Sequence, residues 1–260
     1  MRALLVMVVI VAACAPAAAP SPAPRTATPT RPPASPPPAR TPAPSGSATA
    51  IPSGTPVVRA SGAVHYVAIG ASDTVGIGSL DPSTGSWPSR LAALLPPGST
   101  YRNIGVSGSL TAQAQREQLP IAIAEQPTIV TVWLAVNDIN AGVPPKDHAA
   151  ALDAIVAALV QGTGARVFVG TVPDLRAVPA YANVDPLVML ATVQTFNAGI
   201  ITLAARYPGR VRVVDLNSGS AELMSSVTVS ADGFHPSDAG YELIAQRFAT
   251  AMRSNGIPIR

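Results

Sequence analysis

The sequence has 260 residues, with 17 Lys and Arg against 14 Asp and Glu, a formal net charge of +3 and a pI near 9.4. Its one cysteine excludes an intramolecular disulfide, and no Cys/His cluster offers a structural zinc site, so neither a metal nor a cofactor is expected. Five basic residues (Arg2, Arg25, Arg31, Arg40 and Arg59) precede Ser61 and every acidic residue follows it, which leaves 12 basic against 14 acidic beyond that point. That remainder, at net charge −2, lacks a basic footprint, and no nucleic-acid partner is expected.

Met1-Arg2 is followed by an apolar run, Ala3 to Ala13, and then by Cys14. A charged start, a short apolar segment and small residues at its end describe an export signal over residues 1–13. At about 11 residues the run is too short to span a bilayer, which needs roughly 20. Val11-Ala12-Ala13-Cys14 resembles the bacterial lipobox, which implies that Cys14 is lipidated and ties the exported protein to the membrane. From residue 14 to residue 61 Pro, Ala, Ser and Thr dominate, a composition that cannot bury apolar surface and favours polyproline II. We read it as a semi-rigid stalk extending up to about 3.1 Å per residue. Residues 62–260 then form one domain, large enough for a well-buried core. Nothing in the sequence sets the oligomeric state, and a monomer is expected.

Within the domain, apolar runs rich in strand formers predict five strands at Val64–Ile69, Tyr101–Val106, Thr128–Val136, Arg166–Val172 and Val211–Leu216. The run Ile129 to Val136 is apolar without alternation, as a central strand buried on both faces should be. Helical segments are expected over Pro88–Leu95, Thr111–Glu125 and Pro186–Tyr207. Another begins after Asp147 as its cap, with Leu152, Ile155, Val156 and Leu159 at helical spacing. The last is capped by Ser237 and carries Tyr241, Ile244, Ala245 and Phe248. This alternation predicts a three-layer α/β/α sandwich around a flavodoxin-like five-stranded parallel sheet.

Open α/β sheets place their ligands at the carboxyl ends of the strands. Beyond the first strand comes Gly70-Ala71-Ser72-Asp73, and beyond the second Gly105-Val106-Ser107-Gly108-Ser109. The third is followed by Ala135-Val136-Asn137-Asp138, and the fifth, further on, by Asp232-Gly233-Phe234-His235. In this order the four blocks resemble those of the SGNH hydrolases, the GDSL esterases and lipases, from about Val64 to Phe248. The resemblance implies a serine esterase acting on small-molecule, lipid or glycan esters. Ser72 matches the nucleophile, Asp232 and His235 the D-x-x-H pair, and Gly108 and Asn137 the oxyanion glycine and asparagine. Two departures stand out: Ala71 takes the place of the usual aspartate while Asp73 follows the serine, and Ala135 stands for the glycine of G-x-N-D.

A serine hydroxyl needs a neighbouring base. His65 lies on the first strand about seven residues before Ser72, too far toward the other end of the sheet at roughly 3.3 Å per residue. His148 opens a helix, where it is expected to cap or face solvent. His235 remains, with Asp232 three residues earlier to fix its tautomer. The N–H groups of Ser72 and Gly108 and the Asn137 amide are the expected oxyanion donors, Gly108 allowing close backbone approach. Asp138 is expected to be structural. The loop Pro173–Pro186, with Leu175, Val178 and Tyr181, is expected to line an acyl pocket.

Competing motifs fail. Gly76-Ile77-Gly78 begins a dinucleotide fingerprint, but Asp81 stands where its third glycine belongs. Thr74 breaks the G-x-S-x-G of an α/β-hydrolase. An O-acyltransferase acting on cell-envelope glycans would use the same residues, and a surface-anchored binding protein without catalysis is the alternative outside enzymology.

Overall fold

The computed structural model describes residues 62–260. The expected signal segment, the lipidated Cys14 and the stalk lie outside them.

Five parallel strands form one sheet: β1 (His65–Gly70), β2 (Thr100–Asn103), β3 (Ile129–Trp133), β4 (Arg166–Gly170) and β5 (Val211–Val214). Their spatial order is β2-β1-β3-β4-β5, all neighbours parallel. The chain steps from β1 to β2 on one side and returns to β3 on the other, so the switch point lies between β1 and β3 and a crevice opens beyond their carboxyl ends.

Strand alternation decides which core each side chain joins. Val67, Ile69, Val130, Val132, Val167 and Val169 face α4 (Thr111–Ala124), α6 (Pro145–Gly162) and α7 (Pro186–Ala205). Tyr66, Ala68, Ile129, Trp133 and Phe168 face α3 (Trp87–Ala93) and α8 (Asp238–Ser254). The second face is anchored by aromatic packing: Trp87 stacks on Phe248 at 4.2 Å and meets Trp133 edge-on at 6.1 Å. All five residues of β3 are buried, as its unbroken apolar run requires.

The expected elements are all present with shifted ends. Strand β3 stops at Trp133, not Val136, because Ala135 adopts φ +106° and turns the chain into the short helix α5 (Val136–Asn140). The cap of α6 is also not Asp147. Pro144 holds the cap position with Pro145 at the first helical residue, and Asp147 sits inside the first turn, where its charge suits the helix dipole. Ser237 does cap α8, its Oγ accepting from Gly240 N at 3.3 Å. Two further short helices, α1 (Ser72–Val75) and α2 (Pro82–Gly85), have too few residues to show a period.

The turn from β1 into α1 is possible only with glycine at its start. A Cβ on Gly70 would lie 1.9 Å from Thr74 Oγ1 and 2.9 Å from the Trp133 carbonyl oxygen. Since that carbonyl belongs to the neighbouring strand and cannot rotate away, Gly70→Ala is expected to cost at least about 3 kcal/mol. Thermal unfolding should show Tm lowered by roughly 6–12 °C.

Candidate active site

Ser72 is the first residue of α1, directly beyond the β1 turn, and is buried. Its hydroxyl meets His235 Nε2 at 3.0 Å, and His235 Nδ1 meets Asp232 Oδ2 at 2.6 Å. The local chain sets this line up. Val229 and Pro236 form an antiparallel bridge, and Ser230 N bonds His235 O at 2.8 Å, so residues 230–235 close into a tight loop. Inside it Asp232 Oδ1 accepts from Ser230 Oγ, Phe234 N and His235 N at 2.7–2.9 Å. Desolvation pushes the Asp232 carboxyl up, but these donors and the imidazole outweigh it and hold it well below the usual carboxylate range. An ionised Asp232 therefore keeps a proton on Nδ1, leaving the Nε2 lone pair toward the serine.

The outer wall of the site explains Gly76-Ile77-Gly78. A Cβ on Gly78 would stand 2.5 Å from the Pro236 carbonyl and 3.0 Å from His235 Cβ. Tyr241 donates to the Ile77 carbonyl at 2.5 Å, and Asp238 accepts from Ser79 Oγ at 2.6 Å and Leu80 N at 3.2 Å. Gly78 lets this loop pack against the histidine loop, and Gly76 lets it pack against Pro82 and Ser86.

Asn137 projects from α5, and its Nδ2 donates to Ser109 O at 3.2 Å, which fixes the amide and leaves its second N–H available. Ala71, Asp73, Ser109, Ala135 and Asn137 line a small recess here. Gly108 immediately precedes Ser109, in a turn closed by Ser109 N to Val106 O at 3.1 Å. A Cβ there would meet no protein atom within 4 Å, and its φ of +78° is a backbone conformation that favours glycine. Among the described residues, the N–H groups of Ser72 and Gly108 donate to no protein acceptor.

His148 contradicts its sequence reading: it is 1% exposed, neither a cap nor in solvent. Its Nδ1 lies 3.0 Å from Thr111 Oγ1, and that hydroxyl donates to Asp138 Oδ2 at 2.7 Å. Asp138 also accepts from Thr111 N at 3.1 Å and is structural as expected, tying the start of α4 to the turn carrying Asn137. His65 sits at the amino edge, its ring against Thr100 and Glu125, far from the serine's end of β1.

Two further residues matter here: Gln118, which the sequence does not single out, and Asp73, which it shows only as a departure from the family pattern. Buried Gln118 bonds both backbone groups of Gly70, Oε1 accepting from N at 3.0 Å and Nε2 donating to O at 2.9 Å, and also reaches Ser109 Oγ at 3.2 Å. The available signal was a polar residue on the inward stripe Thr111, Ala114, Gln118, Ala122 of α4. The second is Asp73, whose carboxyl lines the recess and also an adjoining cavity of about 100 Å³ walled by Trp133, Val136, Leu175, Val178 and Phe234. Leu175 and Val178 thus line a pocket as expected. Tyr181 does not; it braces Phe234 edge-on at 6.0 Å and bonds Asn140 at 2.7 Å.

Comparison with known proteins identifies the family and the fold. The model of the GDSL-like lipase/acylhydrolase family matches residues 68–243. No curated protein matches the sequence. Among solved structures, TesA superposes with a TM-score of 0.59 at 22% identity, covering 74% of this chain and 99% of its own. A family 3 carbohydrate esterase from Clostridium thermocellum gives 0.58 at 18%, covering 74% and 96%. Axe2, an acetylxylan esterase from Geobacillus stearothermophilus, gives 0.58 at 18%, covering 74% and 94%.

Burial pushes the Asp73 carboxyl from 3.8 up to about 6, against a partly offsetting attraction to His235. The folded chain therefore binds this proton more tightly than the unfolded chain, and the carboxylate lowers stability as pH rises from about 4 through 6. At about 1.4 kcal/mol per unit, the cost at neutral pH reaches up to about 3 kcal/mol. Asp73→Asn is expected to raise Tm at pH 7.5, with the gain vanishing near pH 4; calorimetry at both values checks it.

Proposed function

The chain belongs to the GDSL-like lipase/acylhydrolase family and is a carboxylic ester hydrolase; on that premise we propose that Ser72, His235 and Asp232 are its catalytic triad. The observation that carries this reading is the unbroken line from the serine hydroxyl through the imidazole to the carboxylate, at 3.0 and 2.6 Å. His235 Nε2 takes the Ser72 proton as Oγ attacks the ester carbonyl. The tetrahedral oxyanion is met by the N–H groups of Ser72 and Gly108 and by the Asn137 amide. Collapse transfers the proton from His235 to the leaving alkoxide and leaves an acyl-serine. Water, deprotonated by the same imidazole, then attacks the acyl-serine and frees the acid. Asp232 stays ionised throughout and stabilises the imidazolium.

The adjoining, largely apolar cavity would take the acyl group, and the likeness to the acetylxylan esterase Axe2 supports a short one. Acetyl and other short-chain esters, including those of cell-envelope sugars, are the substrates we propose. Residues 1–61 support a place outside the cytoplasmic membrane, with Cys14 as the lipid anchor. Metabolic labelling with a fatty-acid analogue tests the anchor: label is expected on the wild type and none on Cys14→Ser, and an unlabelled wild type overturns it.

For the chemistry, p-nitrophenyl acetate, butyrate and palmitate should be turned over with the highest kcat/KM on the two short esters. Ser72→Ala or His235→Ala should lower kcat by about 10⁶. Asn137→Ala should lower it by roughly 10²–10³, each variant keeping a cooperative thermal transition. Full activity in Asn137→Ala would remove it from the oxyanion site.

A further inference from the structure

Asp73 occupies a position where a carboxylate is a liability. It follows Ser72 on α1, is more than half buried, and lines both the recess beside Asn137 and the larger apolar cavity. Among the described residues it accepts no hydrogen bond from another side chain and pairs with no cation. The one cation on the cavity wall, Arg247, is already committed, its Nη atoms donating to the carbonyls of Asp215 and Ser218 at 3.1 and 2.8 Å. The hydroxyls on the wall, Ser220 and Thr228, already donate to the carbonyls of Asn217 and Leu223 at 2.7 and 2.5 Å, and most of the remaining lining, Val136, Leu175 and Phe234 among it, is apolar.

A plain alkyl chain entering this cavity would strip water from Asp73 and return nothing, and an unpaired buried carboxylate is costly. A guest carrying a donor would restore what desolvation removes. We propose that Asp73 is a specificity-determining residue that selects acyl groups bearing a hydrogen-bond donor, hydroxyl or ammonium, within a few atoms of the ester carbonyl. The inference rests on the ester-hydrolase reading above and names the substrate class of the same site. A neutral acceptor in place of the carboxylate would still serve a hydroxyl, whereas only the charge favours an ammonium; leucine would serve neither and would favour the alkyl chain. Acyl chains ending in carboxylate should be excluded, because Asp73 and Asp232 both present negative charge to the site.

The experiment compares full-length wild type, Asp73→Asn and Asp73→Leu on the p-nitrophenyl esters of butyric, 3-hydroxybutyric and 3-aminobutyric acids. The readout is kcat/KM for each substituted ester divided by that for butyrate, compared between proteins so that intrinsic reactivity cancels. Asp73→Leu is expected to lower both ratios about tenfold or more, mainly by raising butyrate turnover and weakening the substituted esters. Asp73→Asn should keep the hydroxyl ratio and lose the ammonium ratio; it also keeps the test open should the leucine variant fail to fold. Ratios that change less than about threefold in every folded variant overturn the proposal. Absence of turnover on p-nitrophenyl acetate by wild type would instead overturn the hydrolase reading. The specificity is then decided by calorimetric binding of ethyl 3-hydroxybutyrate against ethyl butyrate: tighter binding of the first supports it, and equal binding overturns it.

Discussion

The end of a strand in a parallel sheet is where backbone donors and acceptors run out of partners, and the site is built on how this chain satisfies them. Gly70 is the last residue of β1, and its peptide groups are taken up by the Gln118 side chain from α4. At β4, the carboxamide of Asn197 does the same for both backbone groups of Val172, at 2.8 and 2.9 Å. Trp133 Nε1 caps the Thr171 carbonyl at 3.1 Å, and Asn103 reaches the Thr74 carbonyl at 2.6 Å. Buried peptide groups must be paired. Pairing them with side-chain amides frees each strand end to turn sharply and present polar groups to the crevice.

A second layer of bonds couples these turns to one another. Asp138 and Thr111 join the asparagine turn to the start of α4, while Gln118 on the same helix holds both the serine turn and Ser109. Three segments of the candidate site are thus referred to one helix, which would hold the proposed oxyanion donors rigid before substrate arrives. Among the described residues Asp73 has no side-chain partner, and its cost in stability falls beside Ser72 in the candidate site, as trade-offs between stability and function predict.

The fold was legible because β1, β3 and β4 are buried on both faces and print near-continuous apolar runs, and because α6 and α8 show a helical period. Ser72, Asn137, Asp232 and His235 were legible as motifs at strand ends. What escaped has physical causes. Helices of four or five residues such as α1 and α5 have no period to read. The end of β3 depends on the positive φ of Ala135, which nothing in an apolar run betrays. His148 and Gln118 look like ordinary polar residues until the tertiary structure buries them. The positive φ of Gly108 is likewise a property of the folded turn that the sequence does not spell out.

The serine and histidine that meet at 3.0 Å are separated by 163 positions in the chain. Between them lie four of the five strands, each reached by a crossover that must close a long loop before its pairing is rewarded. No fragment short of the last helix can bring the imidazole to the hydroxyl. A half-formed chain, with its first sheet pairs and much of its helix already in place, therefore lacks this contact, and any reaction that uses the pair waits for the final act of folding.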